Sequence, residues 1–357
     1  MGTLSPYLDF KKKQGMITST SIQTSQRRVE GSLPADPRFF FVHIGKTGGM
    51  TLRDSVLSVT MRQIRCAYQV SRSGKDHGQN KDYHSCYSHK TSQLDEHTLG
   101  RFHLTASNLK PEEREWMLDN TNVFLFSVRD PISRLVAEYN YNFQETYDEL
   151  APFVRFTPDD QKKLDKFYRQ CFPDGFDAMI GRIARIGSGD EDCRRLGVET
   201  LTASVDHGGG THFRHGYQYY MQKSLKERPT HKVAVIRTER LWEDTCHLDK
   251  LLGGTGEFEA AKNKHARGSE DFSSSVDLSN ENTRFLCCMI WEEIEAYQTM
   301  ILKAVNLDST QKLMTLSSLL NRCLIDVTFP SEFALLEEPF NWEAFRHSSC
   351  AQLGYMH

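Results

Sequence analysis

A short apolar run ending on a glycine loop constrains this chain more than any other feature: Phe39 to Ile44, followed at once by Gly45-Lys46-Thr47-Gly48-Gly49. A run this short, bounded by glycines, reads as a strand buried on both faces, as in a parallel sheet. Leu52, Val56 and Val59 then recur at helical spacing, so the order is strand, glycine loop, helix. A loop of that kind turns successive backbone N–H groups toward one point at the helix N-terminus, which makes an anion site. Lys46 adds a point charge, and Thr47 and Thr51 add hydroxyl donors. A nucleoside-triphosphatase loop of the form G-x-x-x-x-G-K-[ST] would require glycine where Phe40 stands, so that pattern fails despite the Gly45-Lys46-Thr47 string.

A second unit of the same design begins with Val123-Phe124-Leu125-Phe126-Ser127-Val128 and turns at Arg129-Asp130-Pro131, with Pro131 placed as the first residue of a helix. Leu135 and Tyr139 share one face of that helix. Lys232 to Ile236 is a third strand. Farther on, Ser279 caps an expected helix lined by Leu286, Met289, Ile290, Ile294, Tyr297 and Ile301. Strands alternating with helices imply an α/β fold, a three-layer sandwich with a central parallel sheet and its ligand at the C-terminal strand ends. Residues 1–37 are polar and aperiodic and read as a tail, 38–305 as the domain, and 306–357 as a C-terminal extension without a place in this scheme. The polar stretches 70–98 and 186–216 read as long surface loops near the site.

Composition narrows the partners. With 44 basic and 47 acidic residues the formal net charge is −3, which disfavours a protein that wraps nucleic acid. No stretch reaches the ~18 to 20 apolar residues a membrane span needs. The start lacks the apolar core of a signal peptide, and Pro6 breaks the myristoylation pattern. The chain as given is thus expected to be soluble and cytoplasmic, with the Golgi lumen open to it should an anchor precede Met1. Nine cysteines without C-x-x-C spacing argue against a zinc site or a disulfide scaffold and for mostly free thiols.

His43-Ile44-Gly45-Lys46-Thr47-Gly48-Gly49-Met50-Thr51-Leu52 resembles the 5′-phosphosulfate loop of the Golgi-type carbohydrate sulfotransferases, P-K-T-G-G-T-T/S-L. The segment from Arg129 to Tyr139 resembles that family's 3′-phosphate motif, R-D-P-x-x-R-x-x-S-x-Y. Between the two, His103-Leu104-Thr105-Ala106 matches an H-x-T-A segment. Asn263, Lys264 and Arg267 are similar to the basic loop that closes over the nucleotide, and Leu278 to Tyr297 is similar to the C-terminal helix. The likeness covers roughly residues 38–303, with the motifs in family order. Gly45 replaces the loop proline, Met50 a loop threonine and Ala137 the motif serine; Ser133 lies one helical turn before Ala137.

The resemblance implies a P-loop-like sulfotransferase fold and transfer of a sulfuryl group from 3′-phosphoadenosine-5′-phosphosulfate (PAPS) to an acceptor hydroxyl, without a metal. The acceptor would be a glycan or a small hydroxylated metabolite. Gly45, Lys46, Thr47, Gly48, Gly49, Met50 and Thr51 would hold the 5′ end. Arg129, with Ser133, would hold the 3′-phosphate, and Asn263, Lys264 and Arg267 the rest. Lys46 and His103 would act in catalysis, His103 as the base, since imidazole titrates near neutral pH. A nucleotide kinase and a non-catalytic nucleotide- or glycan-binding relative are the competing readings. His207, His212 and His215 flank three glycines at a spacing that matches no common metal site. Glu239 either orients a neighbour or faces solvent. Lys223, Lys226, Arg228 and Lys232 read as a charged face.

Overall fold

Every residue of the strand Val123–Val128 is buried, as expected of a run flanked by neighbours on both edges. The computed structural model describes residues 32–35, 37, 39–44, 47, 119, 121–147, 162–185, 190–202, 213, 216–226, 228–252, 256, 278–325 and 334–350, all within the compact unit Gly31–His357. In chain order these form β1 (Phe39–His43), β2 (Val123–Val128), α1 (Pro131–Tyr147), a π-helical turn (Asp165–Cys171), α2 (Phe176–Ala184), α3 (Glu191–Leu201) and α4 (Tyr217–Leu225). There follow β3 (Lys232–Arg237), a 3₁₀ turn (Thr238–Arg240), α5 (Leu241–Leu251), α6 (Asn280–Met289), α7 (Trp291–Lys303) and α8 (Ser309–Arg322). Short helical turns at Ala334–Glu337 and Trp342–Phe345 and a π-turn at Arg346–Cys350 end the described chain.

The three strands form one parallel sheet in the order β1-β2-β3, with Phe39 opposite Val123 and Val123 opposite Lys232. The arrangement is α/β, and most of the described residues outside the sheet are helical. Because side chains alternate across a strand, this register sorts them cleanly. Val42, Phe124, Phe126, Val128, Val233 and Val235 enter the larger apolar cluster with residues of α1, α2, α4, α6 and α7. Phe39, Val123, Leu125, Ala234 and Ile236 enter a second cluster with Leu248 of α5.

The outer edge of β3 is closed without a fourth strand. Val305 N donates to the Val233 carbonyl at 2.8 Å, and the Asn306 side chain binds both Val235 N and Val235 O at 2.8 Å. Arg237 N donates to Asp244 at 2.8 Å. Backbone groups that would otherwise template another strand are thereby used up.

Three expectations from the sequence are corrected. Residues 191–201, read as loop, form α3: Asp190 accepts from Asp192 N and Cys193 N, and Cys193, Gly197 and Leu201 recur on its buried side. Its charges hid that stripe, since they pair along the exposed side as Glu191–Arg194 and Asp192–Arg195. The helix that Ser279 caps is two helices. It ends at Met289, and Ile290 (φ −107°, ψ 24°) redirects the chain into α7. Among the described residues the thiols are mostly paired: Cys171–Cys193, Cys287–Cys323 and Cys288–Cys350 are disulfides, and Cys246 is free. Widely spaced cysteines carry no local mark of which partners the fold will bring together.

The segment after residue 306 packs into the larger cluster through Leu316, Leu319, Leu320, Trp342 and Phe345. Two of the disulfides tie it to adjacent residues of α6. Among the described residues no helix is long and apolar enough to cross a membrane.

Candidate functional site

The C-terminal ends of the three strands are tied to one another by side chains. After β1, Thr47 is fully buried; its hydroxyl donates to the Ile44 carbonyl at 2.6 Å and meets Ser127 Oγ of β2 at 2.6 Å. The hydroxyl expected to face an anion is turned inward, where it fastens the start of the glycine loop to the central strand. Between β2 and β3, Thr238 Oγ1 donates to the Val128 carbonyl at 2.9 Å, and Asp130 N donates to Glu239 Oε1 at 2.7 Å. Thr47 and the turns after β2 and β3 thus meet at the C-terminal end of the sheet, where α/β proteins bind ligands.

Three arginines stand near this edge, in different situations. Arg237 is buried against Asp244, with Nε to Oδ2 at 2.8 Å and Nη2 to Oδ1 at 2.5 Å, and its Nη1 reaches Thr315 at 2.7 Å. Arg134 is also buried, 3.6 Å from Glu293 and with its guanidinium 5.3 Å from the centre of the Tyr217 ring. Arg129 is half-buried, and its guanidinium has no hydrogen bond or ion pair among the described residues. Two of the three are therefore committed to the fold, while the Arg129 guanidinium, among the described residues, acts only through its charge on Glu239.

The Arg129 backbone is held on both sides by one phenol. Arg129 N donates to Tyr217 Oη at 2.8 Å, and that hydroxyl donates to the Arg129 carbonyl. Burial pushes the Tyr217 hydroxyl far above its ordinary range, so it stays protonated and can fill both roles. Glu293 lies beneath, accepting from Tyr217 N at 2.5 Å and Gln218 N at 3.2 Å at the start of α4. Burial raises its carboxyl above the usual range, while Arg134 and the two N–H groups act the other way. Gly216 is needed for this approach, since a Cβ there would fall 2.0 Å from the Glu293 carboxylate. Glu239 is likewise raised by desolvation where it meets the turn after β2, with the Asp130 N–H and then Arg129 opposing. Its side chain still reaches solvent.

Asp130 caps α1, its Oδ1 accepting from Ser133 N at 2.8 Å. Ser133, Ala137, Asn140 and Tyr141 are half-buried while Arg134, Leu135, Glu138 and Tyr139 are buried, so the open side of α1 carries both Ser133 and Ala137. A hydroxyl added at 137 would share the face that carries Ser133. Ala137→Ser is expected to tighten binding of a phosphate held there by on the order of 1 kcal/mol, one hydrogen bond's worth. Calorimetric titration with 3′-phosphoadenosine-5′-phosphate (PAP) checks it; unchanged affinity would mean that Ser133 or a backbone group already fills the role.

Of the residues singled out from sequence, the structure brings Thr47, Arg129, Ser133 and Glu239 to this edge. Gly45, Lys46, Gly48, Gly49, Met50, Thr51, His103, Asn263, Lys264, Arg267 and the histidines at 207, 212 and 215 lie outside the described residues. Arg228 of the basic stretch pairs with Asp119 at 3.0 Å, and Lys226 and Lys232 are exposed. Sequence reading missed Tyr217 and Glu293. The one local signal was an acid, Glu293, set beside the apolar stripe of Ile290, Ile294 and Tyr297. No protein-family model, curated protein or solved structure matches this chain.

Proposed function

We propose that the chain is a PAPS-dependent sulfotransferase with a three-layer, P-loop-like fold. The observation that carries the reading is the Thr47–Ser127 hydrogen bond, which sets one residue of the first motif against β2, two residues before Arg129, at the ends of adjacent parallel strands. The pairing of Thr47 with Ser127, 80 residues away, supports a site that takes a donor with phosphates at both its 5′ and 3′ ends. Arg129 fits the 3′-phosphate, because a guanidinium offers a two-pronged fork and this one makes no hydrogen bond among the described residues.

In the reaction the acceptor oxygen attacks the sulfur in line, and the bond from sulfur to the 5′-phosphate oxygen breaks. The acceptor proton passes to His103, leaving a sulfate ester and PAP. Negative charge grows on the leaving phosphate, where Lys46 and the loop N–H groups are suited to stabilise it; positioning and such preorganised charge carry most of the acceleration in related phosphoryl transfers. The acceptor is a carbohydrate or another hydroxylated molecule. The three disulfides support a working compartment more oxidising than the cytoplasm.

PAP is expected to stabilise the protein against heat well beyond ATP. At about 100 times its dissociation constant a ligand adds roughly 2.7 kcal/mol. Thermal unfolding with each nucleotide decides the matter, and protection by ATP equal to that by PAP would exclude the PAPS assignment. Labelled sulfate transfer from PAPS across glycans, sterols, phenols and small metabolites then identifies the acceptor and separates an enzyme from a silent binding relative.

A further inference from the structure

We propose that Tyr217 is a positioning residue, held by Arg134 and Glu293, that sets Arg129 for the 3′-phosphate of the nucleotide. This rests on the PAPS reading above and goes beyond it, since none of the three residues is taken to touch the ligand. Arg129 sits where β2 ends and α1 has not begun, so neither a sheet ladder nor a helix governs its backbone. The Tyr217 hydroxyl supplies what is missing by closing on both the N–H and the carbonyl of Arg129. Tyr217 is itself fully buried, and its position is determined from two directions. Its backbone N–H and that of Gln218 are gripped by the Glu293 carboxylate, and its ring lies against the Arg134 guanidinium. Arg134 and Glu293 face each other at 3.6 Å, which closes the circuit from α1 through α7 to α4. Arg134 leaves the same turn as Arg129, its own N–H bonded to the Asp130 carbonyl at 2.8 Å. The turn is thus braced from both its ends by one tyrosine.

A fork of two hydrogen bonds tolerates little rotation of its base, so loosening the Arg129 backbone should weaken the grip on the 3′-phosphate and spare contacts to the 5′ end. The test is Tyr217→Phe, which keeps the ring and removes only the hydroxyl. Affinities for PAP and for adenosine 5′-phosphate are measured by calorimetry on wild type and variant. The expected result is a roughly tenfold fall in the preference for PAP over adenosine 5′-phosphate, with binding of the latter little changed. Asn306→Ala is the control, because it removes a buried pairing on the outer edge of β3 and should lower stability without altering that preference. An unchanged preference in Tyr217→Phe, or an equal fall in Asn306→Ala, overturns the positioning role while leaving the PAPS reading intact. A wild-type protein that binds no PAP overturns both. Should Tyr217→Phe fail to fold, Glu293→Gln is read on the same scale, with a fall of about threefold expected and no fall overturning the proposal.

Discussion

Replacing His103 with alanine is expected to lower turnover by ~10²- to 10⁴-fold, the usual worth of general-base help. Nucleotide affinity should change little, because the groups proposed to hold PAP are Arg129, Lys46 and the loop backbone. Activity of the wild-type protein should fall on the acid side as the imidazole takes up a proton and ceases to be a base, and that limb should vanish in His103→Ala. A phenol acceptor, already acidic, should depend on His103 less than an alcohol does. Steady-state rates with one acceptor of each kind, measured across pH, check all three statements together. Near-full turnover of an alcohol by the variant would place the base elsewhere. Glu239 would be the next candidate: it lies at the strand ends, and desolvation already biases its carboxyl toward proton uptake.

The second large effect concerns stability. Removing the Cys287–Cys323 bridge by the double substitution to serine is expected to cost about 4 kcal/mol on the chain-entropy view, given the 36-residue separation it closes. Reduction of the wild-type protein should cost more, although the loops of Cys287–Cys323 and Cys288–Cys350 overlap and their contributions do not simply add. The denaturant midpoint under oxidising and reducing conditions is the measurement. Equal midpoints would show that packing of α8 and the last helical turns suffices without the bridges. The effect should also reach the site: α6 carries both cysteines, α7 follows directly, and Glu293 of α7 holds the start of α4 beneath Arg129. PAP affinity is therefore expected to fall on reduction, along with stability.

Several elements follow from local signals in the sequence. Val123–Val128 and the helix beginning at Pro131 stand where the apolar run and the proline placed them, and β3 extends one residue past the expected Ile236. Ser279 does cap a helix, its hydroxyl accepting from Asn282 N at 3.2 Å. These are short-range effects, in which a strand buried on both faces must be apolar throughout and a helix start must satisfy its own N–H groups. The same short range explains α3, whose charged exposed side outweighed a narrow buried stripe, and the break at Ile290, where the apolar spacing runs on although the backbone turns.

By itself, then, the amino-acid sequence determined the parallel strand–turn–helix units and the residue types available at their ends. Only the tertiary structure decided which of the described residues among them pair with one another. Thr47 and Ser127 are 80 positions apart, and Arg129 and Tyr217 are 88 apart, so no local pattern could pair them. Once the sheet orders its strands, the residues at their C-terminal ends are brought into contact, and most buried polar groups find a partner there. Thr47, Arg134, Arg237 and Glu293 are engaged in this way. Arg129 is half-buried, its backbone held by a phenol from a distant helix and its guanidinium without a hydrogen bond among the described residues.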